Sequence, residues 1–242
     1  MVKTKYGSIE GVIFLIKNME SYKKIDIDTW VRREHYLYYT QKLKIEFNMT
    51  ANINVKELLD FCHIYNYKFY PTIIYFITKV LNKIENFKMF KDKDQNLCIW
   101  DKIIPNYTIF HKDDCIFSDC WTDYSDDFKT FYYDIMLDMK RYKDKKGIKV
   151  KVNQPSNFYC ISCTPWTTFT GYGSRVMNGE PTFFPIITIG KYVESGQQVL
   201  MPVNITIAHA VSDGYHVGLF FQYLQEELTK QNLLTTIEEN LV

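Results

Sequence analysis

The sequence predicts an α+β domain, and three observations carry that reading. Segments with helical and with strand periodicity both occur, in no strict β-α-β alternation. The chain has 242 residues, enough for one domain with a sizeable core. Hydrophobic residues make up 46% and charged residues 24%, the balance of a globular rather than a disordered chain.

The elements follow in order. Asn54, with Glu57 three residues on, opens a short helix in the manner of a capping box. A long helix begins at Pro71, where proline suits a first turn. Ile73, Ile74, Ile77, Val80, Leu81 and Ile84 then recur at helical spacing. Residues 126–142 read as a helix carrying Phe128, Phe131, Ile135, Leu137 and Met139. Residues 143–149 form a charged loop. Asn157 to Cys163 alternates like a strand. Thr182–Tyr192 and Gln198–Ala210 are strands separated by the hairpin signal Glu194-Ser195-Gly196. Val217, Phe220, Phe221, Leu224 and Leu228 form the core stripe of a last helix. Residues 1–24 read as a loose N-terminal extension, with Met19 a candidate start, and residues 25–242 as a single domain without repeats or linkers.

Charge and cysteines narrow the function. There are 29 basic and 28 acidic side chains, a net charge of +1, which argues against a nucleic-acid partner held by a basic field. No apolar run approaches the roughly 18 residues of a membrane span. The longest near the start, Gly11 to Ile16, is too short for a signal peptide. A cytoplasmic protein without a membrane partner is expected. The six cysteines are too sparse for a disulfide scaffold. Cys160 and Cys163 have C-x-x-C spacing, but in a strand a separation of three sends them to opposite faces. Free, reduced thiols are expected. No metal site is expected, because His35, His63, His111 and His216 are dispersed and lack zinc-ligand spacing. Nucleotide loops of the G-x-G-x-x-G or P-loop kind are absent.

His209 stands out. It ends a predicted strand in Ala208-His209-Ala210-Val211-Ser212-Asp213-Gly214, the pattern H-x-x-x-D-G. Strand ends present side chains rigidly to a cleft, and imidazole is suited to taking a proton near neutral pH. A second segment, Ser162-Cys163-Thr164-Pro165-Trp166-Thr167-Thr168-Phe169, is a strand running into a Pro-Trp turn. Three more are Thr29-Trp30-Val31-Arg32-Arg33-Glu34-His35-Tyr36, Tyr67-Lys68-Phe69-Tyr70-Pro71 and Pro185-Ile186-Ile187-Thr188-Ile189-Gly190-Lys191-Tyr192. Together these five segments, in this order, resemble the chloramphenicol acetyltransferase family from about Ile25 to about Lys230.

The resemblance implies a two-layer sandwich, a mixed β-sheet with helices on one side, in the fold of CoA-dependent acyltransferases. It implies that His209 is the general base and that transfer is direct, without an acetyl-enzyme. Ser162 resembles the donor to the tetrahedral oxyanion, a role that is strong when a fixed dipole meets developing charge in a dry site. Thr188 matches a position that helps hold that intermediate. Asp213 and Arg32 look like a structural ion pair. Lys68, Lys191 and Tyr192 match positions near the nucleotide end of CoA. Tyr39, Leu43, Phe47 and Phe117 match the acceptor pocket. The co-substrate implied is acetyl-CoA, with no tightly bound cofactor, and the assembly implied is a homotrimer with active sites at subunit interfaces.

Departures from the family pattern concentrate in the acceptor pocket. Ala208 stands where a second histidine is usual. Thr170-Gly171-Tyr172-Gly173-Ser174-Arg175 replaces an apolar and Asn-containing segment. Lys149 stands where an aromatic is common, and Asp119 where a small residue is common. The leading expectation is O-acetylation of chloramphenicol by acetyl-CoA, conferring antibiotic resistance. The alternatives are a related acetyltransferase acting on another hydroxyl or amine, and a non-catalytic binding or thiol-sensing protein built on Cys160 and Cys163. A lipoyl-dependent acyltransferase, which shares H-x-x-x-D-G, is less expected because no lipoyl segment is legible.

Overall fold

A computed structural model describes residues 21–175 and 179–238. Most of the expected extension, residues 1–20, lies outside them. The strands are β1 (Tyr22–Lys24), β2 (Glu46–Asn54), β3 (Met89–Lys91), β4 (Leu97–Trp100), β5 (Ile104–His111), β6 (Ile116–Trp121), β7 (Phe158–Thr164), β8 (Ile186–Gly190), β9 (Val193–Ser195) and β10 (Gln198–Ala208). The helices are α1 (Arg33–Gln41), α2 (Lys56–Ile64), α3 (Phe69–Lys83), α4 (Phe128–Tyr142), α5 (Gly214–Glu227) and α6 (Lys230–Glu238). Residues 22–24, assigned to the extension by sequence, pair as β1 with β4 in a small sheet of order β1-β4-β3.

The main sheet has the order β2-β10-β8-β7-β5-β6, with β9 on β10. β7 runs parallel to both β5 and β8, and the other pairings are antiparallel. It is the mixed sheet expected. Strand alternation sorts the side chains by face. Tyr159 and Ile161 of β7, Ile187 and Ile189 of β8, and Met201, Val203, Ile205 and Ile207 of β10 are all buried. They meet α3, whose Ile73 to Thr78, Val80 and Leu81 are buried nearly all round, as suits a helix enclosed in a core. The Tyr159 hydroxyl reaches Thr78 Oγ1 at 2.7 Å, joining the two layers.

The flanking helices close over α3. Phe128 and Phe131 of α4 pack on Tyr75, with ring centroids at 5.1 and 5.7 Å. Lys79 and Lys83 of α3 both pair with Glu227 of α5. Phe220 of α5 is fully buried against Phe87. Asp127 caps α4 by accepting the Thr130 N–H at 2.7 Å.

Three expected boundaries move, each for a local reason. α3 begins at Phe69, so Pro71 is its third residue, still within the first turn where its missing N–H costs no helical bond. α2 has Val55 at its N-cap. Asn54 Oδ1 instead accepts both Lys56 N–H at 3.2 Å and Val199 N–H at 3.1 Å, tying the helix start to β10. The expected strand Thr182–Tyr192 shortens to β8, because Thr182 donates its N–H and its hydroxyl to Glu46 of β2.

Truncating Phe220 to alanine empties a site under the middle of α5, against Phe87. Phe220→Ala should lower stability by about 3–5 kcal/mol, read from the midpoint and slope of denaturant unfolding.

Candidate active site

Arg32 lies at the N-cap of α1 and Asp213 at the N-cap of α5. Their fork-to-carboxylate pairing, with Arg32 Nη2 to Asp213 Oδ1 at 2.9 Å and a second bond from Nη1 to Oδ2, joins the two helix starts. The Arg32 side chain is 12% exposed and that of Asp213 32%. Hydrogen bonding from Arg32 holds the Asp213 carboxyl below the usual carboxylate range. The Asp213 N–H donates to His216 Nδ1 at 3.1 Å. Burial, with the Arg32 charge nearby, pushes the His216 imidazole down, so His216 serves as a neutral capping partner.

His209 lies one residue past β10. Its N–H donates to the Ile45 carbonyl at 3.0 Å. Tyr39 of α1 stacks on the imidazole at 4.1 Å and 7°, and Phe47 of β2 leans on it at 4.9 Å. Nδ1 is enclosed and makes no hydrogen bond among the described residues. It lies 3.3 Å from Asp213 Oδ1, within ion-pair reach but out of line. The ring, 26% exposed, meets solvent through its other edge, which carries Nε2. Leu43, on the connection from α1 to β2, is exposed nearby in sequence.

The far face of the sheet, opposite α3, holds the other expected groups. Ser162 pairs in register with Thr188, and their hydroxyls are 3.5 Å apart. Thr188 is opposite Asn204, and Asn204 is opposite Thr50. On the other side the β5–β7 register, Asn106 to Cys160 and Tyr107 to Ile161, continues to Thr108 beside Ser162, and Thr108 is opposite Asp119. Thr50, Asn204, Thr188, Ser162, Thr108 and Asp119 thus form one polar row across the sheet. The segment with the altered sequence lies on it: Asn204 Nδ2 donates to the Tyr172 carbonyl at 2.9 Å. Close approach at the row's edge needs a glycine, since a Cβ on Gly190 would lie 2.7 Å from both the Phe169 ring and Pro202. The Ser174 hydroxyl is buried and has no hydrogen-bond partner among the described residues.

The expected CoA residues gather just beyond Ser162 and Thr188. Lys191 and Tyr192 follow the end of β8, and the Lys191 N–H donates to the Thr167 carbonyl at 2.8 Å. The Tyr192 ring meets Phe69 at 5.6 Å, next to Lys68 at the N-cap of α3. Lys68, Lys191 and Tyr192 are exposed.

The chain holds these groups as two separate clusters. His209 lies five residues beyond Asn204, and Asn204 is two strands from Ser162. With strand spacing and rise, that is roughly 20 Å between His209 and Ser162. Phe117, 49% exposed, sits on β6, the edge opposite Phe47 on β2. Tyr39, Phe47 and His209 are brought together; Phe117 is not brought to them. Sequence reading passed over Thr108, Asn204 and Thr50, whose shared row is set by pairing and leaves no local signal. It noted Asp119 and Lys149 only as departures. The two residues are ion-paired at 3.0 Å.

Cys160 and Cys163 alternate to opposite faces. Burial pushes the Cys163 thiol up to about 11 and raises that of Cys160, so neither is a ready thiolate. Among the described residues no group of three or more His, Cys, Asp or Glu side chains could hold a metal ion. None of their helices is long and apolar enough to cross a membrane.

The fold and the relatives of this chain define an acyltransferase. The family profile described as chloramphenicol acetyltransferase matches residues 20–225. A chloramphenicol acetyltransferase of Clostridium perfringens is 38% identical over 84% of this chain and 92% of its own length. One of Clostridium butyricum is 38% identical over 85% and 94%. A solved chloramphenicol acetyltransferase superposes with a TM-score of 0.73 at 22% identity, over 88% of this chain and all of that one. The chain belongs to the chloramphenicol acetyltransferase family.

The Arg32–Asp213 pair generates a prediction. A double-mutant cycle over Arg32→Met and Asp213→Asn should give a coupling of about 1–3 kcal/mol in unfolding free energy. Because the folded carboxyl is depressed, its contribution is complete above about pH 4 and lost as pH falls through the folded value. Melting temperatures taken across that acid range should show this loss in the wild type and not in the double variant.

Proposed function

We propose that the protein is an acetyl-CoA-dependent O-acetyltransferase that acetylates a hydroxyl of chloramphenicol and so confers resistance to it, acting in the cytoplasm as a homotrimer. The observation that carries this reading is His209, clamped between Tyr39 and Phe47 at the end of β10 with Nδ1 enclosed and the Nε2 edge open. The relatives named above carry that activity in their names.

In this reading His209 Nε2 takes the proton from the acceptor hydroxyl as its oxygen attacks the thioester carbonyl. Ser162 donates to the oxyanion that forms, with Thr188 beside it. The carbon–sulfur bond then breaks, the CoA thiolate takes the proton back from His209, and ester and thiol leave without an acetyl-enzyme. Arg32 and Asp213 fix the start of α5 and the wall against His209 and transfer no proton. Lys68 and Lys191 suit the phosphates of CoA as point charges, and Tyr192 offers a face to its adenine. Tyr39, Leu43, Phe47 and Phe117 line the acceptor. All six cysteines are unpaired, in keeping with a reducing compartment.

The two clusters support a homotrimer. One carries His209, Tyr39, Leu43 and Phe47; the other carries Ser162, Thr188, the CoA positions and Phe117. Chemistry between groups roughly 20 Å apart by strand geometry needs a second copy to bring them together. A head-to-tail arrangement that closes into a ring does so at every interface. A second reading, an acetyltransferase for another hydroxyl or amine, is favoured by one observation: the Asp119–Lys149 ion pair near Phe117.

Thiol release from acetyl-CoA, with and without chloramphenicol, tests the activity. His209→Ala should lower kcat by at least about 10²–10⁴-fold; retention of more than a tenth of the rate would remove His209 as the base. Ser162→Ala should lower kcat more than it raises KM. His209→Ala and Ser162→Ala chains, each strongly impaired, should regain about a quarter of wild-type activity when refolded together in equal amounts, since a site shared across a head-to-tail interface is intact when each side supplies its own half. Activity that stays at the level of the separate variants after mixing means the sites are not shared.

A further inference from the structure

Asp119 stands at the β6 end of the polar row, two strands from Ser162 with Thr108 between them. That spacing is about 10 Å. Its side chain is 18% exposed. Its backbone is pinned, with its N–H donating to the Ile148 carbonyl at 2.7 Å and its carbonyl accepting from Val150 at 3.3 Å. One carboxylate oxygen, Oδ2, is occupied. It accepts from Lys149 Nζ at 3.0 Å and from Asn106 Nδ2 at 3.3 Å. Lys149 is itself held by Gln154 Oε1 at 3.0 Å. The other oxygen, Oδ1, accepts no hydrogen bond among the described residues. Phe117, two residues earlier on the same face of β6, presents a half-exposed ring beside it.

A carboxylate anchored through one oxygen and open at the other is a fixed hydrogen-bond acceptor. It cannot donate. A carbonyl or nitro oxygen brought against it is repelled, whereas a hydroxyl, an amide N–H or an ammonium gains a charge-assisted bond. The pairing with Lys149 holds the group in place without filling its open side.

We propose that Asp119, anchored by Lys149, is a specificity-determining residue of the acceptor site. Its Oδ1 accepts a hydrogen bond from a donor group on the β6-facing side of the acceptor. The acceptor class is therefore an alcohol that carries a second hydrogen-bond donor besides the hydroxyl to be acetylated. This rests on the acyl-transfer reading and adds to it the chemistry the pocket reads.

The test compares two alcohols by thiol release from acetyl-CoA: chloramphenicol, which carries an amide N–H and a second hydroxyl, and 2-(4-nitrophenyl)ethanol, which has its one hydroxyl and no other donor. Affinity for the second is read as KM or, where turnover is slow, as a competitive inhibition constant against chloramphenicol. Asp119→Ala should raise the chloramphenicol KM by about 10–100-fold, with Asp119→Asn intermediate, because a charge-assisted bond is lost or weakened. The acetyl-CoA KM and the affinity for 2-(4-nitrophenyl)ethanol should change less than about twofold, since neither uses the bond. Asp119→Ala/Lys149→Met, which strands no charge, should keep the same selective loss. An equal loss on both alcohols, an unchanged chloramphenicol KM, or recovery of that KM in the double variant overturns the proposal while leaving the acyl-transfer reading intact. A wild type that releases thiol with neither alcohol overturns both.

Discussion

The parity of the strands is the constraint on which the rest depends. α3 is apolar almost all round, so the strands facing it must give it every odd-numbered side chain of β7, β8 and β10. The even-numbered side chains then have one place to go, the opposite face. There Ser162, Thr188 and Asn204 fall side by side without any local sequence pairing them. The core and the polar row are therefore one fact seen from two sides. A one-residue slip of any strand would turn its polar set toward α3 and its apolar set onto the polar far face, which is why the register is firmly set.

The second organising contact is the Arg32–Asp213 pair. It holds two helix starts together, and those helices carry the walls around His209: Tyr39 from α1, and Asp213 from the N-cap of α5. Imidazole, tyrosine ring and carboxylate are thereby fixed by rigid elements rather than by loops, the arrangement that keeps a site's geometry narrow. The cluster around Ser162 is fixed independently, by strand pairing. Two rigid patches on one chain, each incomplete as an acyl-transfer site, fit the head-to-tail assembly of the proposed function.

Much of this was legible in the sequence, and the parts that were not share a cause. The long helix, the stripe from Val217 to Leu228, and the strands β7 and β10 were readable because their apolar spacing is strong and local. His209, Asp213, Arg32 and Ser162 were readable as short motifs, and the structure brings the first three into contact. β2, β5 and β6 were not assigned, because Asn48, Thr50, Asn106 and Asp119 interrupt their apolar pattern. Those same polar residues face the side away from α3. The distance between His209 and Ser162 was likewise hidden, since motifs give order along the chain and say nothing of strand order across the sheet. The boundary at Asn54 moved because its side chain is shared between a helix start and β10, a partner about 145 residues away by sequence.

Tyr39 has two duties. On the proposed reading it lines the acceptor pocket, and its ring also lies flat on His209 at 4.1 Å. On that reading, any drift in acceptor preference that passes through Tyr39 or Phe47 must disturb the orientation of His209 at the same time. β6, Lys149 and the segment 170–175 carry no such burden, because none of them touches the imidazole. Diversification of acceptor range within this architecture is thus channelled to the far cluster, where a substitution alters what is recognised without detuning the proton transfer. Of the positions where the sequence departs from the expected family pattern, Asp119, Lys149 and Ser174 lie in that territory, whereas Ala208 adjoins His209 itself.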